Sequence, residues 1–119
     1  MATHLFEVGG NPTFTASADV ANGQLVEVTG PRTAGPAAAD SVKWIGVASQ
    51  AAATGEQFAV LLGGVQRIVA SANIAAGAQV AAAAAGKVTT AETPAAGAAV
   101  GVAISTASAG STVDVLMTR

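Results

Sequence analysis

The chain has no cysteine, no tyrosine, one histidine and one tryptophan, and charged residues make up only 10% of its 119 positions. Each shortage excludes something. Without cysteine there is no disulfide framework, no thiolate nucleophile and no cysteine-ligated metal. Any Ser–His–acid set would have to recruit His4, the sole imidazole, and no Gly-x-Ser-x-Gly elbow accompanies it. The carboxylates Glu7, Asp19, Glu27, Asp40, Glu56, Glu92 and Asp114 stand apart, with no Asp-x-Asp-x-Asp loop or histidine pair. No catalytic residue, metal site or cofactor is therefore expected. The five basic residues are scattered and the net charge is −2, which excludes the basic footprint of a direct nucleic-acid binder. No apolar run reaches the roughly 18 residues of a membrane span. The opening Met1–Glu7 has neither the basic nor the apolar region of a signal peptide. Gly9-Gly10 and Gly63-Gly64 fit no phosphate-loop pattern and read as turns.

Bulk is also scarce. Hydrophobic residues form 51% of the chain, but alanine supplies much of that and aromatics only 3%. A buried Val, Leu, Ile or Phe contributes roughly 1.5–3 kcal/mol, and alanine far less. A core built from this stock favours added support from oligomerisation or docking. A surface so poor in charge points the same way, since part of it is expected to be covered.

What the chain does have is an internal duplication. Phe14–Val26 aligns with Ile68–Val80 at an offset of 54, set by Gly23 and Gly77. Further on, Ile45-Gly46-Val47-Ala48 matches Val100-Gly101-Val102-Ala103, and Gly55–Leu62 matches Gly110–Met117, now at an offset of 55. Three blocks in one order, with one gap between them, argue for two copies of a single unit.

Each copy predicts four strands. The first ends in an Ala-x-(Val/Ile)-Ala-x-Gly turn closed by Gly23 or Gly77. The second covers Gln24–Thr29 or Gln79–Ala83, the former alternating as Leu25-Val26-Glu27-Val28. A variable loop follows, Pro31–Ala39 or Thr90–Gly97. The third strand is Trp44–Ser49 or Ala99–Ser105, and the fourth, after a Thr54-Gly55 or Ala109-Gly110 turn, is Gln57–Leu62 or Thr112–Thr118. Alanine's helix propensity offers a rival reading at Ala81–Ala85. Register decides for strand, because this tract lies opposite the β-favouring Glu27-Val28-Thr29, and no amphipathic pattern near it is long enough for a helix. The expected fold is all-β: a compact β-barrel or β-sandwich built from two pseudo-repeated strand units, 13–64 and 65–119, forming a single β domain. Residues 1–12 have no counterpart in the second copy and read as an extended N-terminal arm. His4 lies in that arm, where a contact role outweighs general-base chemistry. Trp44 reads either as a packing anchor or as an interface hot spot. Phe14 and Phe58 read as core, and Trp44, Val47 and Phe58 are the candidates for a subunit interface.

The repeated Ala-x-(Val/Ile)-Ala-x-Gly-x-x-Val, the Gly86-Lys87-Val88-Thr89-Thr90 stretch, Val100-Gly101-Val102-Ala103 and Gly110–Met117 together resemble tailed-bacteriophage capsid decoration proteins, also called cement or head-stabilising proteins. The resemblance runs from about Phe14 to the end. It implies a small β protein that assembles as a homotrimer on the outer capsid surface of the virion and stabilises the expanded shell, after synthesis in the host cytoplasm. It further implies that the arm, Thr3, His4, Leu5, Phe6, Glu7 and Val8, reaches the major capsid protein. That arm carries β-favouring Phe6 and Val8 beside Leu5, which suits strand addition to an exposed sheet edge. Joining arms in a trimer would multiply weak contacts. Two other classes fit less well. A surface or secreted β adhesion module shares the composition but ordinarily brings a secretion signal or further domains. A small β-barrel enzyme needs a pocket of perturbed titratable groups.

Overall fold

The computed structural model describes residues 12–91 and 99–118. The first copy contains β1 (Thr13–Ala16), β2 (Leu25–Gly30), β3 (Thr33–Pro36), β4 (Trp44–Ala48) and β5 (Gln57–Leu61). They close a barrel in the order β1-β3-β2-β4-β5, with β1 parallel to β3 and the other pairs antiparallel. The second copy contains β6 (Val65–Val69), β7 (Gln79–Ala83), β8 (Lys87–Thr90), β9 (Ala99–Ala103) and β10 (Thr112–Met117), in the order β6-β10-β9-β7-β8. Matched strand for strand through the repeat, both sheets have one circular order. The second is opened between β6 and β8, where a lone parallel bridge, Ala70 to Val88, replaces the two-residue β1–β3 register.

The duplication extends to single hydrogen bonds. The Gly23 amide donates to the Ala48 carbonyl as Gly77 does to Ala103, and Gly55 donates to Ala16 as Gly110 does to Ala70. A register shift interrupts β2–β4 between Val26 and Glu27, and β7–β9 between Val80 and Ala81, at equivalent positions. The all-β expectation and the paired units are therefore present in the molecule.

The strand count differs from the sequence reading. Each unit has five strands, because Thr33–Pro36, read as part of a variable loop, is β3, and its counterpart Lys87–Thr90 is β8. Pro36 ends β3, where a missing N–H costs the ladder little. The Ala81–Ala85 tract is strand only as far as Ala83. Ala84–Gly86 then forms one 3₁₀ turn with Ala85 at φ 59°, a tight connection into β8 rather than a helix.

Two interiors result. One holds Ala16, Val20, Val26, Ala34, Ala48, Ala52, Phe58 and Val60, and is the inside of the first barrel. The other is built mainly from the second unit, including Ile68, Ile74, Val80, Val88, Val100, Val113 and Val115, but it also takes in Leu25, Ala37, Trp44 and Val47 from the first. Strand alternation explains the split. Val26 and Ala48 point into their own barrel, so their neighbours Leu25 and Val47 point out of it, toward the second unit.

The joint between the units is completed by main chain. The β7–β8 turn seats on β2 and on the segment after β3. The Gly86 amide donates to the Ala37 carbonyl at 2.9 Å, the Asp40 amide to Ala82 at 3.0 Å, and Gln24 Nε2 to Ala85 at 3.0 Å. Gly86 has φ 71°, and a Cβ there would stand 2.8 Å from the Leu25 carbonyl oxygen. Only glycine allows this approach.

Candidate functional site

The arm residues Thr3, His4, Leu5, Phe6, Glu7 and Val8 lie outside the described residues. At its inner end, Pro12 accepts a hydrogen bond from the Val60 amide at 2.9 Å, so the chain enters the first barrel alongside β5. Trp44, Val47 and Phe58 are 0%, 2% and 1% exposed. Phe58 fills the first barrel, while Trp44 and Val47 fill the joint between units. Of the two readings of Trp44, the structure takes the packing anchor: with so few large side chains, the fold uses them internally. None of the three offers a face to a neighbouring subunit.

Where carboxylates and a shallow depression coincide, the chemistry is structural. The depression is lined by Asp19, Val20, Ala51, Ala52, Ala53 and Glu56. Asp19 Oδ1 accepts from the Thr54 amide at 2.9 Å and from the Thr54 hydroxyl at 3.1 Å. Those bonds, the amide's first, hold the Asp19 carboxyl below its ordinary value. Glu56 Oε1 accepts from the Ala53 amide at 2.7 Å. Both acids are thus committed to pinning the 51–56 turn. In the second unit Asn73 Oδ1 does the same for the Ala109 amide at 3.0 Å, so a negative charge is not required for this task. Among the described residues no group of three or more His, Cys, Asp or Glu side chains converges as a metal site would require.

The feature that stands out on the surface is apolar. On the outer face of the second sheet, Leu116 of β10 lies opposite Val65 of β6 on one side and Val102 of β9 on the other. Ile104, two residues past Val102, continues the row by alternation. These four side chains are 52% (Val65), 50% (Leu116), 41% (Val102) and 52% (Ile104) exposed. Scattered exposed hydrophobics need no explanation, whereas adjoining ones mark a contact surface. The row is bordered by an ion pair, Arg67 Nε to Asp114 Oδ1 at 2.9 Å, which neutralises the nearest charges. Sequence reasoning missed this surface because Val102 and Leu116 belong to the same repeated blocks as the core valines. The signal was available in the alternation of β10, where Val113, Val115 and Met117 turn inward and Leu116 must turn out.

Comparisons with known proteins bear on the geometry. No curated protein sequence matches the chain. Among solved structures, the crystal structure of the head fiber gp8.5 N base of bacteriophage phi29 superposes with a TM-score of 0.74 at 19% identity, covering 92% of this chain and 93% of that one. At this identity the likeness establishes a shared fold. The family model for phage cement proteins matches residues 7–118, nearly the whole length, and the chain belongs to that family.

Proposed function

We propose that this chain is a structural protein of the phage head that binds the outer surface of the capsid and stabilises the expanded shell. The observation that carries the reading is the match to phage cement proteins over residues 7–118. The shared fold with a phage head fiber base supports it, as does a surface whose distinguishing feature is a contact face. The role is mechanical, not catalytic.

In finer terms, residues 13–119 act as one domain, and the core shared between the two units favours cooperative folding. The arm residues Thr3–Val8 add to an exposed strand of the major capsid protein, from an origin beside β5 where Pro12 is held. Self-association, as a homotrimer, multiplies the arms presented to the shell.

The test is a binding and stability assay on expanded capsids that lack the protein. Adding the purified chain should give saturable occupancy of the outer surface and raise the temperature at which shells release DNA. Deleting residues 1–10 should abolish occupancy while leaving the melting of the β domain unchanged. Full occupancy by the truncated chain would remove the arm from the account. No binding by the intact chain would remove the function.

A further inference from the structure

The chain has three asparagines, and one of them stands before glycine: Asn11-Pro12, Asn22-Gly23 and Asn73-Ile74. That neighbour decides whether an asparagine can react with its own backbone. The amide nitrogen of the next residue must attack the side-chain carbonyl carbon, so it needs a proton to lose and freedom from bulk. Pro12 has no N–H. Ile74 is β-branched and buried, its N–H donates to the Ala107 carbonyl at 2.8 Å, and Asn73 Oδ1 is engaged by the Ala109 amide. Gly23 has an N–H and no side chain, and Asn22 beside it is exposed. The turn does not need this asparagine, since its counterpart Ala76-Gly77 closes in the same way. Gly77 has φ 90° against 85° at Gly23, and the Ala78 amide donates to Ala75 as Gln24 does to Ala21.

We propose that Asn22 is a modification site, where the chain converts its own asparagine to aspartate and isoaspartate whenever the joint between the units lets this turn open. The Gly23 nitrogen gives its proton to water and bonds to Asn22 Cγ, and the side-chain nitrogen leaves as ammonia, closing a cyclic imide. Water then adds to one imide carbonyl and breaks its bond to the Gly23 nitrogen. Opening at Cγ leaves aspartate. Opening at the main-chain carbon leaves isoaspartate, with the backbone rerouted through the side chain and one atom longer. The folded turn opposes the first of these bonds. A negative φ at Asn22 followed by 85° at Gly23 is a type II turn, which sets ψ of Asn22 at about 120°. Ring closure needs Asn22 Cβ and the Gly23 nitrogen eclipsed about the Cα–C bond, and this ψ holds them apart. The Gly23 N–H is also engaged by the Ala48 carbonyl at 2.9 Å. Gln24 brackets the turn: its Oε1 accepts from the Ala21 amide at 2.8 Å, and its Nε2 donates to Ala85 across the joint at 3.0 Å. Gly23 itself lies against β6, where a Cβ would meet the Arg67 carbonyl oxygen at 3.6 Å. Opening the turn thus means loosening the joint, and the extent of reaction records how often that happens.

Peptide mapping by mass spectrometry tests this on the full chain in mildly alkaline buffer, folded and in urea, with Gln24→Ala as the loosened variant and Asn22→Ser as the blank. Circular dichroism and melting establish that each variant is folded in buffer. In urea Asn22 should convert while Asn11 and Asn73 convert far more slowly. In the folded wild type, conversion of Asn22 should be slower by about tenfold or more, since only the open population reacts. Gln24→Ala should match the wild type in urea and recover part of the lost rate when folded, with faster amide exchange at Gly23. Absence of conversion in urea would overturn the site. Equal rates in folded and unfolded wild type would overturn its control by the turn, as would a folded Gln24→Ala that reacts no faster than the wild type. Should Gln24→Ala fail to fold, urea below the wild-type transition replaces it. Conversion should then climb with urea in step with exchange at Gly23, and a flat rate would overturn the proposal.

Discussion

The first unit and the second reach the same strand order with different fillings. In the first barrel Phe58 is the large side chain, and small ones stand around it: Ala34, and Val20. In the second unit Val113 occupies the position of Phe58, and the lost volume reappears as Val88 in place of Ala34 and Ile74 in place of Val20. Swaps that conserve total volume are the ones a packed interior tolerates. The outward faces differ more sharply. Leu25 and Trp44 in the first unit become Gln79 and Ala99 in the second, so the first spends bulk on a joint and the second does not. Two copies of one unit have diverged in what they must touch while keeping what they must enclose.

The comparison can be broken most directly at Trp44. Trp44→Ala should cost about 3–5 kcal/mol, as for a large aromatic removed from a core, and should lower the melting temperature of both units together. If amide exchange rose only in the first unit, the joint would not couple them. Next in size are Gly46→Ala and Gly101→Ala. A Cβ at either position would collide with a backbone carbonyl, of Leu61 in one case and Leu116 in the other. Each should cost on the order of 1–3 kcal/mol in denaturant melts. Similar costs would sharpen the equivalence of the units, and a large inequality would break it. Gly86→Ala should cost roughly 1–2 kcal/mol for left-handed backbone, with more from the crowding at Leu25. Its counterpart position already carries Arg32 at φ 52°, so only the seated turn should be sensitive.

The smallest effect is in acid. Asp19 and Asn73 hold equivalent turns, but only Asp19 titrates. Its carboxyl lies below the ordinary 3.8. The ionised form therefore stabilises the fold fully above that value, and the contribution is lost as pH falls through the lowered one. Followed by NMR, the Thr54 amide should shift in that acid window and the Ala109 amide should not. Asp19→Asn should abolish the Thr54 titration.

The sequence disclosed the duplication, the all-β class and four of the five strands in each unit, because those strands carry Val, Ile, Leu or Phe in register with a glycine turn. It hid β3, where Thr33-Ala34-Gly35-Pro36 contains two residues that ordinarily interrupt strands. Parallel pairing with β1 and antiparallel pairing with β2 supply what local preference does not. The fate of Trp44 was legible as a choice between two roles. Resolving it required knowing that Leu25, Val47 and Trp44 fall on one side of one sheet, which is a property of register and not of composition. The exposed row escaped notice for the same reason, since one valine in a repeated motif looks like another until each is given a direction.

The seating of the β7–β8 turn has a consequence for how such proteins change over time. Apart from the Gln24 side chain, its fixings are main-chain carbonyl and N–H groups, which do not depend on side-chain identity, and its own side chains are the smallest available. An angle between a barrel and an opened sheet that is set in this way survives wholesale replacement of the surrounding letters, provided one glycine persists. Relatives can then lose nearly all recognisable spelling and still hold their two halves in the same posture.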